Sequence, residues 1–217
     1  MIKYFAYGSN MLVAKLRSHR RCPTAEKIEP SKGSQHLIRN HTFKFHKRSK
    51  DLSAKGDAEA TNDDNDIVYG VLFSINDEHE LINLQREEGV KAGYYEKNVD
   101  VIDEETGDET TAITFCAEKE HIPGGYWYEK TLAKSRQDSN LLPYHWYKHQ
   151  TVQGAIDNGL PDDYIKKLED FESKYDKKES RRKDEEVYFK SCGRCGCRQY
   201  FESHTPGDCT TTSTPRN

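Results

Sequence analysis

A chain of 217 residues is long enough for one ordinary hydrophobic core, or for one core and a tail. Its composition is polar, with 34% hydrophobic against 32% charged residues and a mean hydropathy of -1.00, so a compact domain carrying solvated loops and a polar end is expected. The net charge of -4 argues against a nucleic-acid binder. No apolar run approaches the ~20 residues of a membrane span, which argues against a membrane protein.

In chain order, "YFAYGSNM" (4–11) comes first. Tyr4, Phe5, Ala6 and Tyr7 suit a buried strand, and Gly8 permits a positive φ or a close backbone approach. Ser9 and Asn10 are good helix caps, and "MLVAKLRSH" places apolar residues at helical spacing. A strand that turns into a helix start aims backbone N–H groups at one point, where a carboxylate, a phosphate or a developing oxyanion is favoured. The same pattern also serves as a plain connection.

The basic run 39–50 alternates Phe43 and Phe45 with polar residues, as in a half-buried strand rather than an RNA contact. Residues 48–66 read as a polar loop with local disorder, and "DDND" (63–66) as solvated loop rather than metal site. A strand over 67–75, interrupted by Gly70, precedes a helix over 76–89 with Asn76 or Asp77 as cap and Gly89 as stop. "YYEKNVDVID" and "TTAITFCAE" alternate as a hairpin, and 121–143 reads as irregular. One helix is expected from Tyr144 to Asn158. Another starts at Pro161, with Tyr164, Ile165, Leu168, Phe171 and Tyr175 on one face.

From Lys177 to Glu186 nearly every residue is charged, which ends the expected domain (1–180) before a charged, Cys-rich tail (181–217). A chain ending at Arg181 is accordingly expected to keep its fold. Strands first and helices last indicate an α+β protein built round a curved or closed sheet.

Glu88 stands at the carboxyl end of a helix, where the macrodipole disfavours a further negative charge. If that end is also sheltered, both effects raise the carboxyl toward neutrality and suit it to general acid/base work. Glu87 and Glu88 are otherwise ordinary exposed residues ending a charged helix.

"YFAYGSNM" resembles the signature of the γ-glutamylcyclotransferase family, as does "LQREEGVKAGYY", centred on Glu88-Gly89-Val90 with Gly93 and Tyr94 in step. A third block, "YKHQTVQGAIDNGLPDDYIKKL" (147–168), is similar to the family's closing helices, and weaker echoes lie at Gly56, Ala58 and "DIVYGVLF". The resemblance runs from residue 2 to about 176. It implies a small closed, mixed β-barrel with flanking helices. It also implies conversion of a γ-glutamyl amino acid or peptide to 5-oxoproline, with no cofactor and no metal. Glu88 matches the catalytic carboxylate, Tyr4, Phe5, Ala6, Tyr7, Gly8, Ser9 and Asn10 the substrate-binding strip, and Tyr147 a substrate-contacting tyrosine. Tyr144 is a nearby rival for that last role. The implied partner is a small γ-glutamyl substrate, without nucleic acid or membrane, and a homodimer is left open. The "YGSN" turn is similar to the branch acting on γ-glutamyl amino acids or dipeptides, rather than to the branches specific for glutathione or γ-glutamyl-lysine. A relative trimming γ-glutamyl groups from a specialised metabolite has the same features.

The tail departs from this pattern. Cys192 and Cys195 have the C-x2-C spacing of two zinc ligands, with Cys197, His204 and Cys209 as candidates to complete a set. The overall spacing is not a standard zinc ribbon, and a thiol-rich disordered tail or disulfides are the alternatives. A competing class is therefore an interaction protein on a retired cyclotransferase fold. With no leader and four of six cysteines near the end, unlike a secreted disulfide scaffold, a cytoplasmic location is expected.

Overall fold

The computed structural model describes residues 1–135 and 141–189. Its first strand closes the sheet. β1 (Ile2–Ala6) pairs antiparallel with a later strand, β6 (Ile67–Ile75), from Ile2 opposite Ile75 to Ala6 opposite Val71. On its other edge β1 runs parallel to β8 (Glu109–Ala117), with Tyr4 opposite Ile113. β8 forms the long hairpin with β7 (Tyr94–Asp103), β7 pairs with β3 (His36–Arg39), and β3 returns to β6. Five strands thus close into a mixed barrel, which is the expected fold, and β2 (Glu26–Ile28) adds to β6. Closure satisfies strand edges that an open sheet would expose.

Phe5, Leu72, Phe73, Ile75, Val101 and Phe115 are buried in the core on the two faces of the barrel wall. Gly70 interrupts the apolar run of β6 because a Cβ there would lie 2.5 Å from the Ala6 carbonyl oxygen and 2.6 Å from the Phe5 ring. Without a side chain at this position, β6 can approach β1 and seal the barrel.

Three expectations need correction. The segment taken as a disordered loop contains β5 (Ala54–Ala60), antiparallel to β4 (His41–Arg48), with Phe43 opposite Ala58 and Phe45 opposite Gly56. "AKGDAEA" has little strand propensity. Its small residues fit beneath aromatic rings, and a Cβ on Gly56 would sit 3.0 Å from the Phe43 ring. The segment taken as irregular contains α3 (Tyr126–Ser135). The helix that starts after Pro161 is short: α5 spans Asp162–Glu169, so Phe171 leaves the helix and packs edge-on against Phe43 and Phe45 at 5.9 and 5.1 Å.

Two helices precede these: α1 (Val13–Leu16) and α2 (Glu78–Glu88), the latter capped by Asp77 accepting from the His79 N–H and stopped by Gly89 at φ 73°. α4 (His145–Asp157) packs against the segment that follows β1, where Gly154 meets Met11 and Leu12. The charged run forms α6 (Glu179–Glu186), so the boundary expected at residue 180 falls inside a helix. α6 docks through polar anchors instead of an apolar face. Arg181 grips Asp176 at 2.5 and 2.6 Å, and Asp176 also accepts from Trp146 Nε1 at 3.0 Å. Glu185 lies 3.3 Å from Lys15 Nζ and accepts from Gln150 Nε2 at 2.7 Å. Among the described residues no helix is long and apolar enough to cross a membrane.

The hydrogen bonds from Arg181, Lys178 and Trp146 outweigh burial and hold the Asp176 carboxyl below the usual carboxylate range. A depressed folded pKa gives stability that is complete above the unfolded value of about 3.9 and lost as pH falls through the folded value. Urea midpoints of the parent and Asp176→Asn are therefore expected to differ at pH 7 and to converge in strong acid. A gap independent of pH would show that packing, not ionisation, accounts for the loss.

Candidate active site

Of the two alternatives for Gly8, a positive φ or a close backbone approach, the "YGSN" segment does not take the first. Gly8 has φ −114°, outside the left-handed region, and itself occupies the cap position of a single 3-10 turn, Ser9–Met11. Ser9 and Asn10 are therefore within the turn and do not cap it. Met11 N–H bonds to the Gly8 carbonyl at 3.0 Å and Leu12 N–H to the Ser9 carbonyl at 3.2 Å. The first N–H groups of such a turn have no acceptor within it.

Asn10, only 4% exposed, directs its side chain across the barrel end. Its Nδ2 donates to the Tyr4 hydroxyl and to Glu88 Oε1, both at 2.9 Å, while its Oδ1 has no partner among the described residues. Glu88 is the last residue of α2, with its side chain 22% exposed, and Arg21 Nε stands 3.9 Å from the same Oε1. The shelter expected of this carboxylate is therefore partial.

A cavity opens here, lined by Tyr4, Tyr7, Gly8, Ser9, Asn10, Gly56, Glu88, Tyr94, Phe115 and Tyr147. Seven of the nine residues expected at the site, Phe5 and Ala6 excepted, meet in it. Phe5 and Ala6 are buried in the barrel wall and do not line it. Tyr144 is not the rival it was: its hydroxyl donates to the Asp51 carbonyl at 2.8 Å and receives Arg181 Nη2 at 3.2 Å.

Tyr147 and Gly154 are seven residues apart, two helical turns, so one face of α4 brings the Tyr147 hydroxyl to the cavity and Gly154 to the turn. The Tyr147 hydroxyl accepts from Gly56 N–H at 3.1 Å and bonds with the Ser9 side chain, and the Tyr94 hydroxyl donates to the Gly56 carbonyl at 2.6 Å. Tyr7 donates to the Phe115 carbonyl. Burial pushes the hydroxyls of Tyr4, Tyr7, Tyr94 and Tyr147 upward. All four stay neutral near pH 7, and Glu88 is the one carboxyl group of the lining. Among the described residues no group of three or more His, Cys, Asp and Glu could hold a metal ion. The zinc candidates Cys192, Cys195, Cys197, His204 and Cys209 lie outside the described residues.

α4 approaches the turn so closely that a Cβ on Gly154 would lie 2.7 Å from Leu12 N and 2.8 Å from Met11 Cβ. Gly154→Val is expected to cost about 2 kcal/mol, as overpacking does, and to displace Ser9 and Asn10. Denaturant midpoints and the substrate KM check this, and a variant with both unchanged would show that the turn is not held by this contact.

A model of the AIG2-like family matches residues 67–168. A γ-glutamylcyclotransferase from Bos taurus is 29% identical over 174 residues, 78% of each chain. A solved γ-glutamyl cyclotransferase is 25% identical, with 82% of this chain and 91% of that chain covered, at a TM-score of 0.62. The chain is similar in sequence to γ-glutamylcyclotransferases and shares their fold. A structure from Homo sapiens described as an uncharacterised protein is similar too, at 26% identity, 82% and 92% coverage and a TM-score of 0.61. A yeast γ-glutamyl cyclotransferase specific to glutathione, 13% identical over 77% of this chain and 93% of its own, shares the fold at a TM-score of 0.50.

The AIG2-like match begins at β6 and ends in α5, so it contains Glu88, Tyr94, Phe115 and Tyr147 but not the Gly8–Asn10 turn. Sequence reasoning missed Gly56, Tyr94 and Phe115 in the lining, and Arg21 beside Glu88. Gly56 and Tyr94 had left a signal in the family blocks. Phe115 and Arg21 had none, since an inward aromatic of a hairpin and an arginine in a basic loop are both commonplace.

Proposed function

We propose that this chain is a cyclotransferase that converts a γ-glutamyl amino acid or γ-glutamyl peptide to 5-oxoproline and the free amine. The observation that carries the reading is the meeting of Glu88, the turn 8–10 and Tyr147 in one cavity, with Asn10 bonded to the carboxylate. The nucleophile belongs to the substrate, so the site needs to fold the substrate, move protons and stabilise an oxyanion.

In this reading the Glu88 carboxylate takes a proton from the substrate α-ammonium. The freed amine attacks the γ-carbonyl carbon, forming the ring C–N bond. As the tetrahedral intermediate collapses, the bond to the amino acid breaks, Glu88 returns the proton to the leaving nitrogen, and the second proton given up by the ring nitrogen leaves the released amino acid as its ammonium. Asn10 Nδ2 fixes the carboxylate rotamer for both transfers. The N–H groups of the turn and the neutral tyrosine hydroxyls suit the carbonyl oxygen as it becomes negative. Holding amine and carbonyl in attack geometry is worth ~7–11 kcal/mol in favourable intramolecular cases.

Of the substrate branches, γ-glutamyl amino acids and dipeptides fit the "YGSN" turn best. Turnover of γ-glutamyl-alanine, glutathione and γ-glutamyl-lysine, followed as 5-oxoproline, tests the assignment. γ-Glutamyl-alanine is expected to be the best of the three, and release from none of them counts against the enzyme.

A further inference from the structure

The cavity's charge does not match the substrate class proposed above, on which this inference rests. Its lining carries the Glu88 carboxylate and no cation. A γ-glutamyl amino acid brings two carboxylates and one ammonium.

Four basic side chains touch lining residues from behind. Arg21 lies between Glu87 and Glu88 at 4.0 and 3.9 Å. Lys15, 5.7 Å from the Tyr147 ring centroid, is bonded to Gln150 and paired with Glu185. Lys55, 4.5 Å from the same centroid, is paired with Asp51 at 3.0 Å. Lys47 differs from these. It is 6% exposed, and among the described residues its ammonium makes no hydrogen bond and no ion pair. It rests on the face of the Tyr94 ring, 4.5 Å from the centroid.

Two local features place it there. The β4–β5 register shifts between Phe45 and Lys47, where two residues of β4 oppose one of β5, and both Lys47 and Arg48 turn inward. Bulges of this kind re-aim side chains beside functional sites. Gly93, at φ +125°, makes room, since a Cβ there would lie 2.7 Å from Lys47 Cε and 2.9 Å from Nζ. Glu88, Asp51 and Glu118 act on this ammonium at a distance, but among the described residues none pairs with it directly, and an anion arriving beside it would offset the cost of its partial desolvation. Burial, reinforced by Lys55 and opposed by Glu88, Asp51 and Glu118, brings Lys47 down to about 8, so it is still mostly charged at neutral pH.

We infer that Lys47 is the carboxylate receptor of this site, pairing its ammonium with a carboxylate of the γ-glutamyl amino acid. Two carboxylates of the substrate share this chemistry, the α-carboxylate of the glutamyl part and that of the amino acid to be released.

The test is binding, measured by calorimetry on Glu88→Gln protein so that turnover does not intervene. Adding Lys47→Met is expected to weaken γ-glutamyl-alanine binding at least tenfold, and Lys47→Arg to recover most of it. γ-Glutamyl-ethylamide lacks the second carboxylate. An effect of Lys47→Met that disappears with this ligand assigns Lys47 to the released amino acid, and one that persists assigns it to the α-carboxylate. Either result upholds the inference. Equal affinity for γ-glutamyl-alanine with and without Lys47 overturns it, as does a Glu88→Gln protein that binds no γ-glutamyl-alanine. Should Lys47→Met fail to fold, Lys47→Gln takes its place under the same readings. Release of 5-oxoproline by the parent protein reports separately on the reaction. A chain that binds through Lys47 but releases none would remove the cyclotransferase reading and leave this one standing.

Discussion

Glu88→Gln is expected to lower kcat for 5-oxoproline release by about 10²–10⁴-fold, the range of positioned acid/base groups, with KM little changed. Gln keeps the length of the side chain and an oxygen to accept from Asn10 Nδ2, which donates to Glu88 Oε1 at 2.9 Å. What it loses is the capacity to take and return a proton. The carboxylate beside it is no substitute. Glu87 is absent from the cavity lining and points to Arg21 Nη2 at 4.0 Å. A loss of only a few-fold, with folding intact, would assign the proton transfers to another group, and Glu87→Gln would then be the variant to measure.

The second large effect is on stability. A chain ending at Arg181 lacks Glu185, the counter-charge of Lys15. Lys15 is 5% exposed, and burial brings it down to about 8 even with Glu185 present. Removing one partner of a buried pair costs about 3 kcal/mol or more, so urea unfolding of the shortened chain is expected to shift by about that much. Glu185→Ala should reproduce most of the shift. Glu185→Gln, which can still accept from Gln150 Nε2, should show less. Equal stability of all three with the parent would mean that α6 rests on the domain without holding it.

The docking of α6 through Glu185 and Arg181 differs from what the charge pattern suggested. A run with no apolar face looked like the start of a solvated tail, because hydrophobic periodicity registers only helices that dock through apolar contact. α6 docks through Glu185 on Lys15 and Arg181 on Asp176, and none of the four residues carries a periodic signal. β5 escaped for a related reason. Its small and charged residues are poor strand formers, and only the Phe43 and Phe45 rings opposite them make smallness useful.

Where packing follows local pattern, the sequence was legible. α2 lies between its Asp77 cap and its Gly89 stop, and the β7–β8 hairpin covers the segments whose alternation marks it. The site was legible as motifs but not as geometry. Gly8 suggested a positive φ or a close backbone approach and Ser9 and Asn10 suggested caps, yet Gly8 has a negative φ, the turn is a 3-10 one, and Asn10 bonds to Glu88 across 78 residues of sequence. No local rule encodes that contact. It follows from barrel closure, which brings the end of β1 to the end of α2.

The most direct measurement of the central claim is the product balance of γ-glutamyl-alanine in ¹⁸O-enriched water. Intramolecular attack by the substrate amine predicts 5-oxoproline and alanine in equal amounts, with no ¹⁸O in the 5-oxoproline. Glutamate carrying ¹⁸O would contradict it, because water rather than the substrate's own amine would then be the nucleophile.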